Sequence, residues 1–272
     1  MRLRKVLTTA SLVFAGVSSA RAELLMCQSC PTGTWSDGTL RECKNCLTTG
    51  VAACSSTTGK ATSCKPGYGY SNGSCSACAN GYYSMGGTKS CSNSWSLVKS
   101  YSSGSSSGVY LASNAYKVVL NGAGGGGGGG DCADGKGGKG GNGAQVTQYF
   151  YLSQDASYSY SVGSGGKGAN GVLNAESNTE AKGGNGGSSS FSISGVISFT
   201  AGGGGGGYGG VRGTKGAKNG PAGTTAGNGL GGTGGSGGSN DFDGLWCSNA
   251  SNSTRKGGNG SNGSVYIYKL NQ

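Results

Sequence analysis

Glycine sets the limits on this chain. It supplies 62 of the 272 residues, and much of it runs in tracts with a period of three. Gly135-Lys136-Gly137, Gly138-Lys139-Gly140 and Gly141-Asn142-Gly143 follow one another in register. Gly165, Gly168 and Gly171 keep the same step, as do Gly229, Gly232, Gly235 and Gly238, and then Gly257, Gly260 and Gly263. Three residues per turn is the repeat of the extended polyproline-II-type helix, which has no internal hydrogen bonds. Collagen is excluded, because the chain has only 3 Pro and the register breaks at every apolar segment. With glycine on two or three faces, such helices can pack side by side and satisfy their amides backbone to backbone. Those bonds would offset the large entropy cost of ordering glycine.

A substitute for a side-chain core is needed. Leu, Ile, Val and Phe together number 37, about 14% of the chain, below the roughly 20% that marks chains unable to bury a conventional core. Disorder is the simplest reading of a Gly/Ser tract. Against it, alternating apolar or aromatic segments punctuate the tracts at 116–120, 145–152, 158–162, 191–200 and 265–270. Tyr158-Ser159-Tyr160-Ser161-Val162 and Val265-Tyr266-Ile267-Tyr268 alternate with period two, the signature of strands. The expected fold is mainly β and irregular: a disulfide-rich repeat module, then a glycine-rich domain over 94–272 whose β-sheet carries packed polyglycine-II-type helices. The polar stretch 101–108 has linker or surface-loop composition.

Catalysis has little material. There is no His, so no Ser-His-Asp relay, Cys-His pair or HExxH zinc site can form. Ten acids are spread thinly. The expectation is a non-enzyme with no cofactor.

The first residues read as an export signal. Met1-Arg2-Leu3-Arg4-Lys5 is basic, 6–17 is apolar, and small residues end at Ala20-Arg21-Ala22, an A-x-A cleavage site. The apolar run is shorter than a membrane helix needs and is broken by Thr8, Thr9 and Ser11. Removing 1–22 takes away four basic residues and lowers the net charge from +11 to +7. No later segment reads as membrane-spanning, so the mature product is expected to be secreted or held at the cell surface, the periplasm included.

Nine of the 11 cysteines fall in the next segment, 23–93. They are Cys27, Cys30, Cys43, Cys46, Cys54, Cys64, Cys75, Cys78 and Cys91. The segment repeats internally: Cys30-Pro-Thr-Gly33-Thr-Trp35-Ser36 aligns with Cys78-Ala-Asn-Gly81-Tyr-Tyr83-Ser84, and Cys64-Lys-Pro-Gly67-Tyr-Gly-Tyr70-Ser71 is a shortened copy. Cys27, Cys30, Cys43 and Cys46 have the spacing of a four-thiolate zinc site. In an exported chain disulfides are favoured instead, and units this small need staples. Nine cysteines cannot all pair within the module. Cys132 and Cys247, in the glycine-rich domain, are candidates to bridge each other, which leaves one cysteine free or joined to another chain. Cys27, nearest the mature start, is the natural suspect.

Two resemblances follow from these motifs. The C-P-x-G-T-x-S layout at Cys30–Ser36 resembles the cysteine-rich repeats of tumour-necrosis-factor-receptor, ephrin-receptor and growth-factor-receptor ectodomains, which implies a rigid spacer or binding rod. Leu120-Asn-Gly-Ala-Gly-Gly-Gly-Gly, Phe199-Thr-Ala-Gly-Gly-Gly-Gly-Gly-Gly and the closing Gly263-Ser-Val-Tyr-Ile-Tyr resemble the glycine-rich domains of bacterial and phage surface proteins. A similar domain occurs in the ectodomains of anaplastic lymphoma kinase and leukocyte tyrosine kinase. That resemblance implies strands carrying packed polyglycine helices and an extracellular recognition role. It does not imply kinase activity, since the chain has neither a VAIK strand nor an HRD loop.

Other motifs carry less. Gly130 to Gly137 matches the P-loop spacing, but Gly follows the Lys where Mg²⁺ binding needs Ser/Thr, and no helix can follow. Asp131, Asp134, Asp241 and Asp243 could offer oxygens to Ca²⁺, yet GGxGxD repeats are absent, so solvated loop acids are expected. Lys136, Lys139, Lys167, Lys182, Lys215, Lys218 and Lys256 sit inside glycine tracts, away from the strands. On ordered tracts they would stud exposed faces and draw anionic partners, a cell-surface glycan or protein rather than nucleic acid. Tyr208, Phe242 and Trp246 are the aromatic candidates for a binding tip. The sequence therefore points to an exported adhesin-like protein with a cysteine-rich stalk and a glycine-rich recognition domain. The competing reading is a coat or matrix protein assembled through its glycine lattice and an intermolecular disulfide.

Overall fold

A computed structural model describes residues 30–31, 34–36, 42–131, 135–172, 175–211, 224, 226–239 and 255–272. Every regular element among them is a strand. The cysteine-rich part holds β1 (Thr34–Trp35), β2 (Lys44–Asn45), β3 (Val51–Cys54), β4 (Ala61–Cys64), β5 (Tyr68–Ser71) and β6 (Ser74–Ala77), paired as three small hairpins. Four disulfides join neighbouring cysteines in chain order: Cys30–Cys43, Cys46–Cys54, Cys64–Cys75 and Cys78–Cys91. With only Val51, Ala61, Cys64 and Cys75 in its buried cluster, this part depends on its bridges. The zinc reading fails here, because three of the four proposed ligands are spent: Cys30 pairs with Cys43, and Cys46 with Cys54.

Beyond it lie β7 (Trp95–Tyr101), β8 (Ser105–Leu111), β9 (Asn114–Asn121), β10 (Gln145–Leu152), β11 (Ala156–Ser161), β12 (Ser189–Ile193), β13 (Ile197–Ala201) and β14 (Ser264–Leu270). They form two antiparallel four-stranded sheets, ordered β10-β9-β14-β7 and β13-β12-β11-β8. Their inward side chains meet in one core that includes Val118, Leu120, Phe150, Tyr158, Phe191 and Ile267. The phenol of Tyr158 is buried there, shares a 2.7 Å hydrogen bond with the Tyr101 hydroxyl, and stacks on Phe191. Burial first, and that hydrogen bond second, push its pKa well above the usual tyrosine value.

Two expectations need correction. The stretch 101–108 is no linker; Tyr101 ends β7 and Ser105–Gly108 open β8, because each strand finds a partner, β14 and β11 respectively. The segment 191–200 is not one strand. It turns at Gly195, whose φ of +71° no β-residue adopts, and divides between β12 and β13.

The two parts are tied together. Trp95 donates its indole N–H to the Gly81 carbonyl at 3.2 Å, and the Met85 amide donates to Gln272 Oε1 at 3.0 Å. On the outer face of the first sheet, Lys117 Nζ lies 4.2 Å from the Tyr268 ring centroid and 5.6 Å from that of Trp95. Burial lowers its pKa.

The glycine tracts leave the sandwich from one end and form an ordered lattice. Residues 122–131 run through its centre and are all buried. Their N–H groups bond three neighbours in strict rotation. Gly122, Gly125, Gly128 and Asp131 donate to Ala144, Gly141, Gly138 and Gly135. Ala123, Gly126 and Gly129 donate to Gly187, Gly184 and Ala181, while Gly124, Gly127 and Gly130 donate to Ser261, Gly258 and Arg255. All three neighbours run antiparallel to the centre. The carbonyls of 122–130 rotate likewise through three parallel neighbours, accepting from 232/235/238, 204/207/210 and 166/169/172. Every one of these bonds is 2.6–3.2 Å long.

The six outer segments also bond one another in a closed ring, in the order 135–144, 202–210, 181–187, 163–172, 255–263 and 231–239. Glycine is required at the centre by approach distance. A Cβ built on Gly125 would fall on the Gly205 carbonyl, and one on Gly128 on the Tyr208 carbonyl. Packing this close puts the amides of one segment within bonding reach of the next, and it is why no buried amide of the central segment goes unpaired.

Candidate functional site

Along the outer segments the exposed long side chains recur at about every third residue, so the lattice fixes which of them can meet a partner. On 135–144 these are Lys136, Lys139 and the half-exposed Asn142; on 163–172, Ser164, Lys167 and Asn170; on 181–187, Lys182 and Asn185. On 255–263 they are Lys256, Asn259 and Asn262. The hydrogen-bond register gives each lysine a height along the central segment. Lys167 lies beside Gly125, and the other four lie between Gly127 and Gly130. Four exposed lysines thus surround the half of the lattice away from the sandwich, and Lys167 lies one step nearer to it. The exposed acids described near them are Glu176 and Glu180, and Glu180 accepts the Glu176 and Ser177 amides to close its own turn.

The lysines expected at 136 and 139 are therefore on one exposed row. Tyr208 is half-buried beside Lys182, whose Nζ sits 4.4 Å from its ring centroid. Together with Gly202–Gly206, Asn185 and Thr224, the two line a groove of about 390 Å³. A cation over an aromatic ring, beside amide and hydroxyl groups, suits a ligand with both an anionic group and an apolar face. A larger concavity of about 680 Å³ lies on the β8–β11–β12–β13 sheet, lined mainly by serines such as Ser107, Ser159 and Ser192, with no charge.

Lys215, Lys218, Phe242 and Trp246 lie outside the described residues, as do Cys27, Cys132, Cys247, Asp134, Asp241, Asp243 and the signal at 1–22. The residues flanking several of them do converge. Asp131 bonds Gly135 and bridges to Val172, Gly130 bonds Arg255, and Gly130 packs against Ser239. The connectors that follow Asp131, Val172 and Ser239 thus all start from the pole opposite the sandwich. One expectation is overturned at that pole. Asp131 is no solvated loop acid; it is fully buried, and its Oδ1 accepts the Ala175 amide at 3.2 Å. Among the described residues no three His, Cys, Asp or Glu side chains cluster as metal ligands, and no helix is long and apolar enough to cross a membrane.

What residue-by-residue reading missed is asparagine. Asn262, Asn259, Asn185 and Asn142 each use a side-chain carbonyl to accept an amide of a neighbouring segment, from Gly165, Gly168, Gly206 and Gly234, all at 2.9 Å. These are outer-segment amides with no second backbone to meet. The recurring Gly-Asn-Gly and Ser-Asn-Gly triplets at 141–143, 184–186, 258–260 and 261–263 were the available signal.

No protein-family model matches the chain, and a search of curated proteins returns no significant match. The four disulfides fit an oxidising, extracellular setting.

Proposed function

We propose that this is an exported, non-enzymatic surface protein that binds an anionic cell-surface glycan or protein. In this reading the disulfide module is a rigid stalk, and the seven lattice segments are polyglycine-II-type helices, three residues per turn. They resemble the glycine-rich domains of bacterial and phage surface proteins, and they carry the recognition face at the pole away from the sandwich. The observation that supports it most is the exposure of Lys136, Lys139, Lys182 and Lys256 around that half, with Lys167 one step nearer the sandwich. Charges of one sign on a preorganised backbone raise the association rate, and a frame already ordered before binding lowers the ordering cost.

Binding of the purified mature chain to acidic, neutral and sulfated glycans, measured at low and physiological salt, tests the proposal. Acidic ligands should bind, weaken with salt, and lose about tenfold or more when Lys139, Lys167 and Lys256 are together changed to Glu. Binding that ignores both salt and the triple change would overturn it.

A further inference from the structure

The sequence contains 10 Asn-Gly pairs. Asn-Gly is the dipeptide most open to spontaneous deamidation, because glycine neither shields its nitrogen nor restricts its backbone. In that reaction the glycine nitrogen attacks the asparagine Cγ, ammonia leaves, and a succinimide forms. Water then opens the ring at either carbonyl, giving aspartate or isoaspartate. The attack needs a glycine amide that is not held elsewhere.

For six pairs the fold holds it. The amides following Asn121, Asn142, Asn185, Asn228, Asn259 and Asn262 bond Ala144, Gly232, Gly204, Ala226, Gly166 and Gly163 at 2.8–3.0 Å. Four of these asparagines also have their own side-chain carbonyl engaged across the lattice. Both the nucleophile and the electrophile are then fixed away from each other. Among the described residues, three pairs lack an acceptor for the glycine amide: Asn72 and Asn80, both in tight turns, and Asn170.

Asn170 is open for a reason visible in the register. Gly165 donates to Asn262 and Gly168 to Asn259, three residues apart on each side. The next rung pairs Gly171 with position 256, which is Lys and has no acceptor. Asn170 is itself exposed.

We infer that Asn170 is the lattice's site of spontaneous deamidation. The product places a carboxylate on the same outward row as Lys167. Its isoaspartyl form adds a backbone methylene between Ala169 and Val172, whose amides bond Gly127 and Gly130, so the step of three is lost at the pole.

The test is peptide mapping of the full chain aged at neutral pH, with aspartate and isoaspartate resolved by mass spectrometry. Asn170, Asn72 and Asn80 should convert at least about tenfold faster than the six held pairs, since those react only after local opening. In denaturant all ten should convert at similar rates. Lys256→Asn supplies the missing acceptor and should slow Asn170 alone. Equal rates across the folded chain, an intact Asn170 beside converting lattice pairs, or a Lys256→Asn chain that deamidates at Asn170 as before would each overturn the inference.

Discussion

The sandwich and the glycine lattice are built from one chain and solve the same problem in opposite ways. The sandwich excludes water with side chains: Leu120, Phe150, Phe191 and Ile267 interlock between two sheets. The lattice excludes it by having none, so that seven backbones come close enough to bond in rotation. In the first region hydrophobic burial dominates and hydrogen bonds hold register. In the second, hydrogen bonds supply the contacts themselves, and small apolar surface is buried only because the backbones touch. The lesson is that a glycine-rich tract can be the most buried part of a protein when its period matches its neighbours.

The largest effect should separate the two regions by the sign of a methyl change. Gly128→Ala adds one carbon where the Tyr208 carbonyl already stands, and it should cost about 4–5 kcal/mol or more, enough to prevent folding. Removing the whole ring of Phe191 from the sandwich with Phe191→Ala should cost about 3–5 kcal/mol. Denaturant unfolding of both variants reads the comparison, and a lattice that accepts the methyl at little cost would break it.

A smaller effect distinguishes the regions by pH. The folded pKa of Tyr158 is raised, so its stabilising contribution is complete below the ordinary tyrosine value of about 10 and is lost as pH rises beyond it. The lattice interior has no tyrosine hydroxyl to ionise. Alkaline unfolding should therefore begin in the sandwich, and Tyr158→Phe should flatten the stability curve above that pH. An unchanged curve would assign the alkaline limit elsewhere.

Part of this architecture was legible in the sequence. Alternation at Tyr116–Leu120 and Val265–Leu270 placed β9 and β14, because an apolar residue every second position has one way to be buried in a sheet. The period of three located the glycine segments. It could not say which segment neighbours which, since glycine carries no side chain to specify a partner. β8 was hidden because Ser102–Gly108 has no apolar pattern; pairing with β11 makes it a strand. The lysines were legible as outward residues, and the asparagines beside them were not, for their role depends on amides contributed by distant segments. Asp131 looked like a loop acid because nothing local shows that the chain ends around it close over its carboxylate.

The central claim is that residues 122–131 form a core made of backbone. Amide hydrogen exchange of the intact chain tests it most directly. The account predicts that the amides of Gly124–Gly130 exchange as slowly as those of Val118 and Ile267, through opening of the whole glycine-rich domain. Exchange of those glycine amides at the rate of an unstructured chain, beside a protected sandwich, would contradict it.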